Sequence, residues 1–344
     1  MTTIFASILR FIGRVLFFLV LACCFIWGGF ALWYHLPLGE GGRIAVLTVW
    51  GAFSLTMLMA EFTQKRRQSR FAAGIAMLAL FGWWSMIRPS LTRDWAPDVE
   101  HTVTARIDGN QATLYNVRDF DWRTTTDFTP HWKTETYDLD GIETVDLFLS
   151  YWAGPAIAHT LVSFGFADGR HIVFSAEIRK TRDEAFSEIG GFFKEFELAM
   201  IAAKESDIIR LRTNIRGERV YRYPIRIDAA AAKALFLLYL DTANRLAKKA
   251  EFYNTVTTNC TTVVFDMART LNPGFPLDYR VLLSGYLPGY LYDEGLIANG
   301  APLAEVERQA AIGSRADGGP IGYSVRIRDE WVPTSQTPPS TSSP

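Results

Sequence analysis

His159-Thr160-Leu161-Val162-Ser163-Phe164-Gly165-Phe166-Ala167-Asp168-Gly169-Arg170-His171-Ile172-Val173-Phe174-Ser175-Ala176-Glu177-Ile178 is the stretch from which the fold of this chain is read. Apolar and polar residues alternate on either side of Ala-Asp-Gly, the pattern of two half-buried strands joined by a three-residue turn with glycine in the left-handed region. That turn pairs Phe166 with Arg170, and counting back along both strands opposes His159 to Glu177. Thr160, Val162, Phe164 and Phe166 then share one face with Ile172, Phe174, Ala176 and Ile178. His159, Ser163, His171, Ser175 and Glu177 collect on the other, so a carboxylate stands beside an imidazole, where it can fix the tautomer and raise basicity. A two-residue turn would slip the register and scramble both faces. A solvated His–Glu pair on an ordinary strand is the plainer reading of the same pattern. His171 is the alternative orienting residue, on the same face but nearer the turn.

Around this hairpin the texture is mixed. Residues 103–107 and 112–117 flank Asp108-Gly109-Asn110, a second hairpin signal. Residues 116–132 read as an ordered loop and 144–150 as a strand. Residues 183–203 read as a helix from the spacing of Phe186, Ile189, Phe193, Phe196 and Met200. Strands are expected at 208–212 and 220–227, and helices over 229–249 and from Cys260 to about Leu271. The fold class is α+β. The closing 333–344, rich in Ser, Thr and Pro, cannot bury a core and reads as disordered.

The first 88 residues differ in kind. Residues 15–36, 44–60 and 71–87 carry no formal charge, and about 17–25 apolar residues cross a hydrocarbon layer, so three transmembrane helices are expected, the last two barely long enough. Buried core helices are the alternative for the two short runs. The first run is too long for a cleaved signal peptide and no small-x-small site follows it. Lys65, Arg66, Arg67 and Arg70 crowd the second link, which puts that loop and the N-terminus in the cytoplasm. Three crossings then leave 89–332 in the periplasm of a bacterial inner membrane. Net charge is −1 over 344 residues, 49% of them apolar. It divides into a cationic membrane module and an acidic remainder, a poor surface for wrapping nucleic-acid phosphates.

Cys23 and Cys24 lie within the first span, so Cys260 is the lone thiol on the oxidising side. Polar, cap-type residues precede it and an apolar-periodic run follows, which sets the sulfur in the first turn of a helix, where exposed N–H groups stabilise thiolate. A cysteine nucleophile needs a base, and His159 is the candidate. A buried, inert cysteine is the competing reading.

Several separated blocks carry a resemblance: Asn116-Val117-Arg118-Asp119-Phe120-Asp121-Trp122-Arg123-Thr124, Tyr151-Trp152-Ala153-Gly154-Pro155-Ala156-Ile157-Ala158-His159-Thr160, Arg210-Leu211-Arg212-Thr213-Asn214, and Glu251-Phe252-Tyr253-Asn254 with Asn259-Cys260-Thr261-Thr262. In this order, over residues 93–297, they resemble the Lnb-type N-terminal periplasmic domain family. The resemblance implies a permuted papain-like cysteine-enzyme domain, histidine before cysteine, with catalytic roles for Cys260 and His159. Glu177 as third member comes from the hairpin. The wider group is similar to lecithin:retinol acyltransferase and to cell-wall endopeptidase-like proteins, and better-studied members acylate the N-terminus of lipoproteins.

The expected function is therefore a membrane-anchored thiol acyltransferase or acyl hydrolase on lipid or lipoprotein esters. A cysteine peptidase or amidase acting on peptidoglycan or peptides, and a non-catalytic tethered binding module, are the rivals. Arg210, Arg212, Arg216, Arg219, Arg222 and Arg226 meet phosphate head groups or form a solvated face. Tyr253 and Asn259 line the site, or Asn259 caps the helix. Residues 282–292 are apolar and aromatic, an acyl-chain wall or core. No cofactor and no metal is expected: phosphate-loop, dinucleotide, His-Glu-x-x-His and Gly-x-Ser-x-Gly motifs are absent from the sequence.

Overall fold

The structure is a computed structural model that describes residues 2–298 and 300–329, so the expected tail at 333–344 lies outside the described residues. Two compact units emerge: the chain up to Ser90 with Phe186–Phe196, and Leu91–Ala185 with the chain from Glu197.

The first unit holds helices α1 (Thr2–His35), α2 (Glu40–Ala60) and α3 (Arg66–Met86). Leu21, Phe25 and Ala73 form its buried centre, with Trp50, Phe53, Met57 and Met77 packed against it. Gly28 permits the close approach of α1 and α2, because a Cβ there would meet the Trp50 ring at 2.6 Å. Among the described residues two helices are long and apolar enough to cross a membrane, Phe11–His35 with mean hydropathy 2.6 and Glu40–Ala60 with 1.6. This corrects the expectation of three spans. The third helix forms, but its first turns carry Arg66, Arg67 and Arg70, leaving an apolar remainder at the lower limit of spanning length.

Phe186–Phe196 contains only a short helix, α4 (Glu188–Phe192), capped by Ser187. The helix expected over 183–203 is thus wrong. Its C-terminal part is a strand whose residues are all buried, Glu197–Ala203. A strand covered on both faces shows a continuous apolar run instead of alternation, and beside the phenylalanines upstream it mimics helical spacing.

The second unit is built on a mixed sheet. Its strands are β1 (Thr104–Asp108), β2 (Gln111–Arg118), β5 (Trp132–Asp138), β6 (Ile142–Ala153), β7 (Ile157–Phe166), β8 (His171–Arg179), β9 (Glu197–Ala203) and β10 (Arg219–Pro224), while β3 (Asp121–Trp122) and β4 (Phe128–Thr129) form a separate ribbon. The order is β1-β2-β9-β8-β7-β6-β10, with β5 also on β2. The β7–β8 register, Val162 opposite Phe174 through Gly165 opposite His171, is the one the three-residue turn requires. Val162, Phe164, Phe166, Ile172, Phe174 and Ala176 face a core completed by α6 (Ala229–Lys248) and α7 (Cys260–Leu271). Leu161, Val173, Ala199 and Ile201 face a second core with Ile208, Ile209, Ile312, Tyr323 and Ile327.

Residues 208–212, expected as a strand, instead continue α5 (Glu205–Arg210) into a π-helical turn, Leu211–Ile215, closed by Arg216 N–H donating to Leu211 O at 2.9 Å. Ile208, Ile209 and Leu211 are buried in two different clusters, which a strand with a single apolar face would not reach.

Candidate active site

The site assembles where β7, β8 and the start of α7 meet. The β7–β8 ladder ends at Val162–Phe174, and outward of it the first turn of α7 packs on β7, with Thr160 Oγ1 and Thr261 Oγ1 sharing a hydrogen bond at 2.8 Å. Asn259 is the N-cap: its Oδ1 accepts from Thr261 N–H and Thr262 N–H, both at 2.9 Å, while Thr262 Oγ1 accepts from Asn259 N–H at 2.8 Å. This capping box settles Asn259 as a cap and uses the second and third amides of the helix. The N–H of Cys260, first residue of the helix, is the early amide the box does not take.

Cys260 and His159, about a hundred positions apart in sequence, lie within side-chain hydrogen-bonding reach of each other. His159 Nε2 contacts Ser175 Oγ at 2.7 Å and Glu177 Oε1 at 3.1 Å, and Ser175 Oγ donates to Glu177 Oε1 at 2.8 Å. With Nε2 so occupied, Nδ1 is the nitrogen left for the thiol. Arg212 Nη2 donates to the same Glu177 oxygen at 2.9 Å. The side chains of His159 and Glu177 keep 13% and 19% of their surface exposed, so the histidine is not sealed in packing.

The electrostatics follow. Burial alone would depress the His159 imidazolium, but the Glu177 carboxylate beside it prevails and the pKa is pushed up to about 9. Burial opposes charge on Glu177 too, yet His159 and Arg212 hold it well below the usual carboxylate range. Burial would raise the Cys260 thiol; the charged His159 ring, with lesser help from Thr160 N–H and the Thr261 hydroxyl, brings it below its ordinary value. Each partner's charge thus favours the other's: the imidazolium lowers the thiol, and a thiolate raises the imidazole. The Tyr239 hydroxyl, buried and without a hydrogen-bond partner among the described residues, is pushed up by burial first and by the Cys260 charge second.

The other expected site residues are placed differently. His171 stands beside Gly165, six residues along β7 from His159 and so roughly 20 Å away. Its ring feels Glu205, Arg328 and Asp146, not the thiol. Arg212 is buried and turned onto Glu177, and Arg222 is buried on Asp146, so the arginines of 210–226 do not make one cationic face. Arg212 is matched to the half-buried Glu177 and Arg222 to the buried Asp146, the condition for keeping such charges in the interior. Arg210 is half-buried at the end of α5, and Tyr253 packs half-buried against the main core. Residues 282–292 divide: Leu287, Tyr290 and Leu291 are core, while Leu282, Leu283 and Tyr286 are exposed. Ser284 within this segment ties to Ala158, next to His159, accepting from its N–H at 3.0 Å and donating to its carbonyl at 2.6 Å.

Sequence reasoning had Ser175 on the right face but gave it no role, and it missed Arg212 as the partner of Glu177. A π-helical turn, which often marks a functional site, holds Arg212, and nothing in the local pattern announces that turn. Among the described residues no group of three or more His, Cys, Asp or Glu is arranged to hold a metal.

No curated protein and no solved structure matches the chain. A family profile does: it spans residues 128–285, a narrower stretch than the resemblance suggested, and it includes His159, Ser175, Glu177, Arg212 and Cys260. Residues 128–285 thus match the Lnb N-terminal periplasmic domain family.

Proposed function

We propose that the second unit is a periplasmic thiol acyltransferase or acyl hydrolase tethered to the inner membrane. The observation that carries this reading is the Cys260–His159 pair, backed by Ser175, Glu177 and Arg212. Cys260 Sγ attacks the ester carbonyl of a lipid or lipoprotein. As the C–O bond breaks, His159 gives its proton to the departing alcohol oxygen and a thioester remains. His159, now neutral, takes a proton from an incoming amine or water, the new bond forms, and thiolate leaves. The Cys260 N–H lies at the helix start, where it can stabilise the oxyanion in both steps.

The family supports a periplasmic domain and the two apolar helices support anchorage. Lys65, Arg66, Arg67 and Arg70, running from the link after α2 into the first turns of α3, support a cytoplasmic N-terminus. No nucleic acid, metal or cofactor enters this reading.

The test is labelling of the full-length protein in detergent with a lipid ester carrying a mass tag. Wild type is expected to give an acyl adduct on Cys260 by mass spectrometry, absent in Cys260→Ala and strongly reduced in His159→Ala. Cell-wall peptide release without any lipid adduct would favour the peptidase reading. An adduct that persists in Cys260→Ala removes the cysteine mechanism.

A further inference from the structure

The link between β8 and β9, Phe186–Phe196, belongs with the helical unit and has no part in the chemistry proposed above. Within that unit it is fastened to one end of α1 and α3. The Phe193 ring stacks on Tyr34 with centroids 5.8 Å apart and lies 5.3 Å from Phe30 and 6.0 Å from Trp84. Tyr34 Oη and Ser187 Oγ are 3.1 Å apart, and Lys194 Nζ donates to Trp84 O at 3.1 Å with its ammonium over the Trp84 ring. Lys194 adopts a left-handed backbone, φ 56°, the turn that brings Phe193 inward.

The apolar helix Phe11–His35 has 25 residues, about 37 Å of helix against roughly 30 Å of hydrocarbon. Its last turns, and therefore Phe30 and Tyr34, fall at the membrane–water boundary, where aromatic rings and lysines concentrate. The fastened link lies at the same depth. Yet Phe186, Ile189 and Phe192 are 55%, 48% and 47% exposed. Three large apolar side chains in seven residues would face water at a cost if nothing covered them, and at this depth the covering medium is lipid.

We propose that residues 186–196 are an interfacial membrane-binding segment, with Ile189, Phe192 and Phe186 inserted among the head groups of the bilayer that α1 crosses. The catalytic unit is then held at the membrane through the middle of its sheet connection as well as through its N-terminal link. β8, which carries Ser175 and Glu177, leads to that second attachment through residues 180–185. The proposal does not depend on the thiol chemistry.

The test uses the full chain with Cys23, Cys24 and Cys260 changed to alanine, reconstituted in phospholipid vesicles, with single cysteines at Ile189→Cys or Phe192→Cys carrying an environment-sensitive fluorophore. Blue-shifted emission, quenched by lipids spin-labelled near the head group and insensitive to aqueous iodide, is expected at both positions. Emission at the aqueous wavelength with strong iodide quenching would overturn the proposal. So would energy transfer between differently labelled copies at low protein-to-lipid ratio without lipid quenching, which would assign the surface to a second copy of the chain.

Discussion

Two carboxylates of the second unit, Asp207 and Glu177, both face a buried arginine, and they are put to opposite uses. Asp207 is fully buried and saturated: Arg118 Nε and Nη2, Phe120 N–H and Trp122 Nε1 all donate to it, at 2.7–3.0 Å. Both oxygens are spent on fixing the strand end at Arg118 and the hydrophobic cluster of Phe120, Trp122 and Leu211. Glu177 keeps part of its surface exposed and concentrates His159, Ser175 and Arg212 on a single oxygen. A fully paired carboxylate stabilises a geometry, whereas one that shares its charge with an imidazole touching a thiol sets a proton affinity. The pairing around each carboxylate, more than its burial, separates framework from site.

The sharpest way to break this comparison is at the sulfur. Cys260→Ser is expected to lower acyl-adduct formation by at least about 10³-fold with the melting temperature little changed, measured by mass spectrometry beside calorimetry. Asp207→Ala should do the reverse. Leaving Arg118 buried and uncompensated costs about 3–5 kcal/mol, read as a lowered denaturation midpoint, while the pH profile of Cys260 alkylation in the surviving folded fraction stays where it was.

Glu177→Gln tests the site carboxylate alone. It removes the charge that holds the His159 pKa near 9, so the thiolate fraction at neutral pH falls and turnover drops about 10²-fold. In wild type, alkylation should rise as pH passes the depressed Cys260 pKa, and turnover should fall again as pH rises through about 9, where the imidazolium loses its proton. The raised His159 pKa also adds stability that is complete below about 6.5 and disappears through about 9. A Glu177→Gln profile that overlays the wild-type one would make Glu177 a second Asp207. The smallest expected effect is at the cap: Asn259→Ala should cost about 1 kcal/mol by thermal melting, with the shape of the pH profile retained.

The parts of this architecture legible in the sequence are those whose signals are local. The Ala167-Asp168-Gly169 turn set the register that faces His159 toward Glu177, and Asn259 before an apolar-periodic run marked the start of α7. Elements whose residues are buried on every side were misread. Glu197–Ala203 lost its alternation because both sheet faces are covered, and 208–212 bends into a π-helical turn that only its packing partners require. The arginines of 210–226 resembled one surface because sequence spacing does not show which carboxylate each cation meets.

By itself the sequence determined the apolar helices, the hairpin and its register, the helix that opens at Cys260 and the family resemblance of its middle part, since each rests on periodicity, turn chemistry or motif order within short stretches. Only the tertiary structure decided that Cys260 reaches His159, that Arg212 turns inward to Glu177, and that Phe186–Phe196 joins the helical unit. These depend on contacts between residues far apart in the chain, where the burial of charge and of aromatic surface is balanced over the whole packed body and leaves no local pattern to read.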